Sequence, residues 1–311
     1  MKINPLDQVI VICGPTASGK SGLAVELAKL IDAEIVSADS MQIYRELDIG
    51  TAKVSPEIQA MIKHHMIDII NPDQTYSVAQ YIKAATTAIE IIRAKEKAVI
   101  VCGGTGQYIN ALLDGLIFID TPVNPAVRKE MKQKITENNA SDWHLKLNKL
   151  DEQAGSRISL NDLRRIRRFF EVYETTGLTQ TQIYEKSHAK GPDFKFLSFY
   201  LYPDRQELYT RINQRTEEMF ESGLVEEVKR ILEKYPLIRK AQSFQAIGYK
   251  ETASYLDGNV DLRTVKDRIG QVTRNYAKRQ FTWFNARNDL NVINDFGSLN
   301  SLEQILNLID Y

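Results

Sequence analysis

Over roughly the first 120 residues, short apolar runs of β type alternate with amphipathic stretches of helical period. The runs at 9–13, 34–37, 66–70 and 98–102 predict strands, and the stretches near 21–31 and 77–95 predict helices. Strand, helix and strand in that rhythm build βαβ units with a mostly parallel sheet. From 122 to 190 the pattern is charged and helical with no convincing strand, fenced by TPVNP before it and KGPDF after it. This predicts a helical insertion with a hinge at each junction. The run FKFLSFYL, 194–201, restores the sheet, and helical period follows over 205–235 and 262–284. The expected domains are an α/β core, 1–121 with 191–311, and a helical insertion at 122–190.

Composition changes this picture little. A chain of 311 residues that is 43% hydrophobic is long and apolar enough for such a core. Forty basic and forty acidic side chains cancel, so only local clustering can speak for a polyanionic partner. Cys13 and Cys102 each end a β-type run and lack metal-ligand spacing, which points to a reducing, cytoplasmic setting without zinc or disulfides. No run approaches the ~18 apolar residues that span a bilayer, and nothing in the pattern calls for an obligate partner, so a monomer away from membranes is expected.

Candidate chemistry begins at GPTASGKS, residues 14–21, which fits the phosphate-loop pattern G-x-x-x-x-G-K-[ST] between a strand and a helix. The glycines let backbone N–H groups of Gly14, Pro15's neighbours and Gly19 turn toward one oxyanion; Lys20 would neutralise phosphate oxygens and the Ser21 hydroxyl would ligate Mg²⁺. The core is thus expected to be P-loop NTPase-like, and the loop alone suggests ATP. Asp39 stands at the carboxyl end of the second strand, where ligands sit in open α/β sheets. It could hold Mg²⁺ through water, accept a proton from a nucleophile, or simply cap a turn. A second glycine loop, CGGTGQYI, brings Gly103, Gly104, Thr105 and Gly106 to the end of the fourth strand. Arg211 and Arg215, four apart, share a helix face that could clamp diphosphate oxygens.

Two segments concentrate positive charge. NDLRRIRRFFEVYE, 161–174, carries Arg164, Arg165, Arg167 and Arg168 around an apolar stripe of Ile166, Phe169, Phe170 and Tyr173. The stretch 263–287 has seven basic residues against Asp267, with Val265, Ile269, Val272 and Tyr276 on one side and Gln271, Arg274 and Lys278 on the other. Two such helices in a neutral protein are the footprint of a nucleic-acid backbone.

These residues together resemble one family, the tRNA dimethylallyltransferases of bacterial type. The resemblance is carried by GPTASGKS, DSMQIYRELDIGTAK, HHMIDI, YSVAQY, GGTGQYI, NDLRRIRRFFEV, SGLVEEV, QAIGYKE and TRNYAKRQFTWF, in the family's order across nearly the whole chain. It implies transfer of a dimethylallyl group from dimethylallyl diphosphate to the exocyclic amine of the adenosine 3′-adjacent to a tRNA anticodon. Under it, Asp39 is the general base and Ser40, Met41 and Gln42 read the flipped adenine. Residues Gly14, Pro15, Thr16, Ala17, Ser18, Gly19, Lys20 and Ser21 bind diphosphate with Mg²⁺, Thr16 lies near the reacting centre, and Arg215 and Arg211 assist. The anticodon stem-loop is held by Thr105, Arg128, Arg164, Arg165, Ile166, Arg167, Arg168, Gln245, Gly248, Tyr249, Lys278, Arg279 and Gln280. Ser21 stands where the family usually has threonine, Val54 where it has proline, Gln107 where it has leucine and Asn285 where it has arginine. The rival readings are an adenylate isopentenyltransferase, a P-loop kinase, and a tRNA-binding module without catalysis.

Overall fold

A computed structural model describes residues 3–116, 124–187 and 191–310. They divide into two compact units, Met1–Leu112 with Phe194–Tyr311, and Leu113–Asp193.

The first unit is built on a six-stranded sheet whose ladders are all parallel. Its strands are β1 Val9–Cys13, β2 Ala33–Ser37, β3 His64–His65, β4 Ala98–Gly103, β5 Phe196–Leu201 and β6 Asn291–Ile293. They lie in the order β3-β2-β4-β1-β5-β6, with Val9 opposite Val99 on one side and Phe196 on the other. β1, β2 and β4 are buried at every position, because helices cover both faces and leave no solvent side for polar residues. Side-chain caps start several of the helices. Ser77 and Gln80 form a capping box before Val78–Arg93, the Asp204 carboxylate accepts from the N–H groups of Gln206 and Glu207, and Asp261 accepts from Thr264 N–H.

Two expected elements are corrected. The strand expected at 66–70 does not form: β3 stops at His65 because Met66 (φ 64°) and Asp68 (φ 55°) adopt left-handed backbone, and only Ile70 bridges, to Tyr44. The helical run expected over 205–235 is two helices, Arg205–Glu221 and Leu224–Lys234, parted at Ser222 and at Gly223 with φ 97°. β6 and the helix Leu299–Leu306 extend the unit beyond any element read from the sequence.

The second unit is helical throughout its described residues, with helices Pro125–Lys134, Ala140–Leu150, Glu152–Arg157, Leu163–Thr176 and Gln180–Ser187. Met131, Ile135, Leu147, Ile166, Phe169 and Phe170 form its own core. Full burial of an Ile or Phe contributes about 1.5–3 kcal/mol, so Ile166 is a packing residue and the stripe around it faces inward. The expected junctions of this segment, at 121–122 and 190–191, adjoin or include residues outside the described ones.

Candidate active site

The topology explains why motifs far apart in sequence meet. β2, β4 and β1 are adjacent, so the loops after them, carrying Asp39, Gly104 with Thr105, and 14–19, emerge side by side at the carboxyl edge. Close packing of these loops demands glycine at two points. A Cβ on Gly103 would lie 2.2 Å from Ala38 O, and one on Gly14, whose φ is 153°, would lie 2.9 Å from Leu201 O.

Side chains then lock the loops together. The Gln280 amide oxygen accepts from Thr16 N–H at 2.8 Å while its Nε2 donates to Gly104 O at 2.8 Å, which joins the phosphate loop to the second glycine loop. Thr105 Oγ1 accepts from Ser40 N–H at 3.0 Å, and Thr105 N–H donates to Ala38 O, which joins the second glycine loop to the Asp39 loop. Asp39 Oδ1 accepts from Met41 N–H at 2.9 Å and Gln42 N–H at 3.4 Å, so this oxygen is a turn cap. Oδ2 has no hydrogen bond among the described residues. The carboxylate therefore has one oxygen that fixes its orientation and one that is available to a substrate.

Between these loops and the helices Arg205–Glu221 and Leu262–Phe284 lies a cavity of about 280 Å³. Thr16, Ala17, Lys20, Ser21, Asp39, Ser40, Met41, Gln42, Arg215, Gln245, Arg279 and Gln280 all line it. Lys20 Nζ donates to Pro15 O at 3.0 Å, and burial pulls its pKa below the ordinary lysine value. Arg215 donates to Thr16 Oγ1 at 3.3 Å; burial lowers its pKa too, while Asp39 and Glu218 act to keep the charge on it. A larger, more open cavity of about 950 Å³ shares Ala17, Lys20, Ser21 and Arg215 and adds Gly19 and Arg211. Two half-buried cations beside backbone amides at a helix N-terminus make an anion site.

Other expected residues lie elsewhere or have other partners. Gln42 lines the cavity, but its amide is already used: its oxygen accepts from Ser37 Oγ and its Nε2 contacts Thr51 O and Ala52 O at 3.3 Å each. Ser18 Oγ is buried and has no hydrogen bond among the described residues. Gly248 and Tyr249, expected on RNA, are buried, and Tyr249 donates to the Glu227 carboxylate at 2.7 Å. Gln280, also expected on RNA, is 4% exposed and braces the loops. Lys278 is exposed on the same helix. In the second unit Ile166 is fully buried, Arg167 is held by Ile135 O, and Arg128 and Arg168 both pair with Glu171. Arg165 pairs with Asp162, leaving Arg164 exposed with no ion pair among the described residues. Gln107 is exposed, and Asn285 accepts from Tyr200 O–H at 3.1 Å.

The sequence reading missed Ile269, Thr273 and Tyr276, which line the cavity together with Gln280. Their spacing, i, i+4, i+7 and i+11, places them on one helix face. Thr273 and Gln280 interrupting that face were the available signal. Ser21 and Asp39, both hard oxygen donors on one cavity, suit Mg²⁺, which keeps waters and substrate phosphates as its other ligands.

Residues 42–288 match the family described as IPP transferase. A tRNA dimethylallyltransferase of Carboxydothermus hydrogenoformans is 44% identical over 278 residues, 89% of this chain and 89% of its own. The tRNA isopentenylpyrophosphate transferase structure from Bacillus halodurans is 36% identical, covers 97% of this chain and 95% of that one, and superposes with a TM-score of 0.70. A eukaryotic dimethylallyltransferase acting on tRNA superposes with a TM-score of 0.76 at 27% identity, covering 96% of this chain and 76% of that one. With a family match over most of the chain and close relatives along nearly its whole length, this chain belongs to the IPP transferase family.

Proposed function

We propose that the chain transfers the dimethylallyl group of dimethylallyl diphosphate to the exocyclic amine of the adenosine 3′-adjacent to the anticodon of tRNA. The observation that carries this reading is the single cavity on which the Asp39 carboxylate, Lys20 and Arg215 all open. The adenine amine nitrogen forms a bond to the first carbon of the dimethylallyl group as that carbon's bond to the diphosphate oxygen breaks. Asp39 takes the proton released by the amine, and diphosphate leaves against Lys20, Arg215 and the backbone N–H groups of the phosphate loop. Ser21, with Asp39 nearby, would hold Mg²⁺, which neutralises the diphosphate when bound. A stacked adenine cannot reach such a cavity, so the base must be extruded from the anticodon loop, where unstacking costs least. Met41 and Ile247 on the wall exclude water from the allylic centre. We infer that the protein acts as a cytoplasmic monomer; among the described residues no helix is long and apolar enough to cross a membrane.

Mass spectrometry of nucleosides from tRNA incubated with enzyme, Mg²⁺ and dimethylallyl diphosphate tests the reading. Prenylated adenosine is expected in tRNA, and no product is expected on free AMP. Prenylated AMP would instead favour an adenylate isopentenyltransferase.

The arginines of the second unit carry a narrower prediction than their number suggests, because Arg165, Arg167 and Arg168 already have partners and only Arg164 has no ion pair among the described residues. Replacing Arg164 and Arg165 together by glutamine is expected to reduce the salt slope of tRNA binding by about 1, with kcat retained. Filter binding between low and moderate salt measures this; an unchanged slope removes the pair from the interface.

A further inference from the structure

The phosphate loop is gripped by a segment that lies past residue 288, where the family match ends. After β6 the chain turns back, and Gly297 N–H donates to Ser18 O at 2.8 Å. The two backbones touch: a Cβ on Gly297 would lie 2.3 Å from Gly19 O and 2.6 Å from Gly19 C. Gly19 has φ 83° and caps the helix Lys20–Leu30, whose first residues Lys20 and Ser21 line both cavities. Any shift of Gly297 therefore passes directly to the residue that aims the anion-binding N–H groups.

The same turn holds Arg211. Asp295 orders it by accepting from Phe296 N–H at 2.7 Å and Ser298 Oγ–H at 2.6 Å. The Phe296 ring is 5% exposed and carries the Arg211 guanidinium 3.5 Å from its centroid. The Ser298 hydroxyl bond, with Arg211 among lesser causes, keeps Asp295 below its usual pKa, so the turn is anionic beside the arginine. Arg211 lines the open cavity beside Lys20 and Ser21. A packing contact made only for stability would be served by any apolar side chain. Here it is made through two glycines and one aromatic face, all aimed at the phosphate side.

We propose that Gly297 and Phe296 are positioning residues for diphosphate: Gly297 sets the shape of the phosphate loop through Ser18 and Gly19, and Phe296 holds Arg211 at the mouth of the site. The inference rests on the assignment of that loop to the prenyl diphosphate. Its test is calorimetric titration of Mg²⁺-diphosphate into the full chain, together with KM for dimethylallyl diphosphate and for tRNA. Gly297→Ala is expected to weaken diphosphate binding and raise KM for dimethylallyl diphosphate about tenfold or more, leaving KM for tRNA within about twofold. Phe296→Leu is expected to weaken diphosphate about threefold through the lost cation–π contact. Unchanged diphosphate affinity in a folded Gly297→Ala protein, or both KM values rising together, overturns the proposal. Should Gly297→Ala fail to fold, Phe296→Leu decides, and wild-type diphosphate affinity there overturns it. If the wild type itself does not bind diphosphate, the assignment of the loop is at fault, which is a distinguishable failure.

Discussion

Asp39→Ala is expected to lower the rate of prenyl transfer by about a thousandfold or more while tRNA affinity stays within about threefold of wild type. The magnitude follows from what a positioned base contributes, about 10²–10⁴. The geometry says why so much is at stake in one carboxylate. Oδ1 is committed to Met41 N–H and Gln42 N–H, so the carboxylate cannot swing away, and Asp39 lines the same cavity as Lys20 and Arg215. Asp39→Asn separates the two jobs. The amide oxygen can still cap the turn, so the loop keeps its shape, but the group can no longer accept the amine proton. Asn and Ala variants of equal, near-zero turnover therefore point to the base, whereas an Asn variant with near wild-type turnover assigns Asp39 to the turn alone. Single-turnover kinetics with saturating tRNA, read beside tRNA binding, give the comparison.

Much of the fold was legible because parallel strands covered by helices are apolar throughout. β1 reads as VIVIC and β4 as AVIVCG, and both are buried at every position. The helix Leu262–Phe284 was legible because its apolar stripe is regular. β6 was not: it has three residues, two of them exposed, and is a strand only because β5 offers it an edge. The break at Ser222 and Gly223 was hidden because helical period resumes directly after it. At the site, the phosphate loop and Asp39 were legible because each follows a readable strand. The division of labour among the arginines was not. Helical spacing put Arg211 and Arg215 on one face, but only the packing shows that Arg215 reaches Thr16 while Arg211 stays outside on Phe296. Likewise charge density could not reveal that Glu171 occupies Arg128 and Arg168, or that Gln280 faces inward to join two loops. Tertiary partners, which no local pattern contains, decide each of these.

That division of labour gives the second large effect. Arg215→Gln is expected to lower kcat about 10²–10³-fold, with a smaller rise in KM for dimethylallyl diphosphate, whereas Arg211→Gln lowers kcat/KM by no more than about tenfold. Arg215 is half-buried on the cavity wall, where a charge interacts more strongly than in open water with the negative charge that develops as the diphosphate oxygen leaves carbon. Arg211 is exposed and shared with Glu207 at 3.3 Å, so water screens it. Removing Arg215 also takes the donor from Thr16 Oγ1, loosening the loop at its centre. Arg215→Lys separates charge from geometry: an ammonium restores the positive charge but not the guanidinium fork, so it should recover only part of the lost rate. Steady-state kinetics on the four proteins with dimethylallyl diphosphate varied at saturating tRNA resolve the cases. A kcat/KM for Arg215→Gln within about threefold of wild type would mean that diphosphate departs against Lys20 and the loop amides alone.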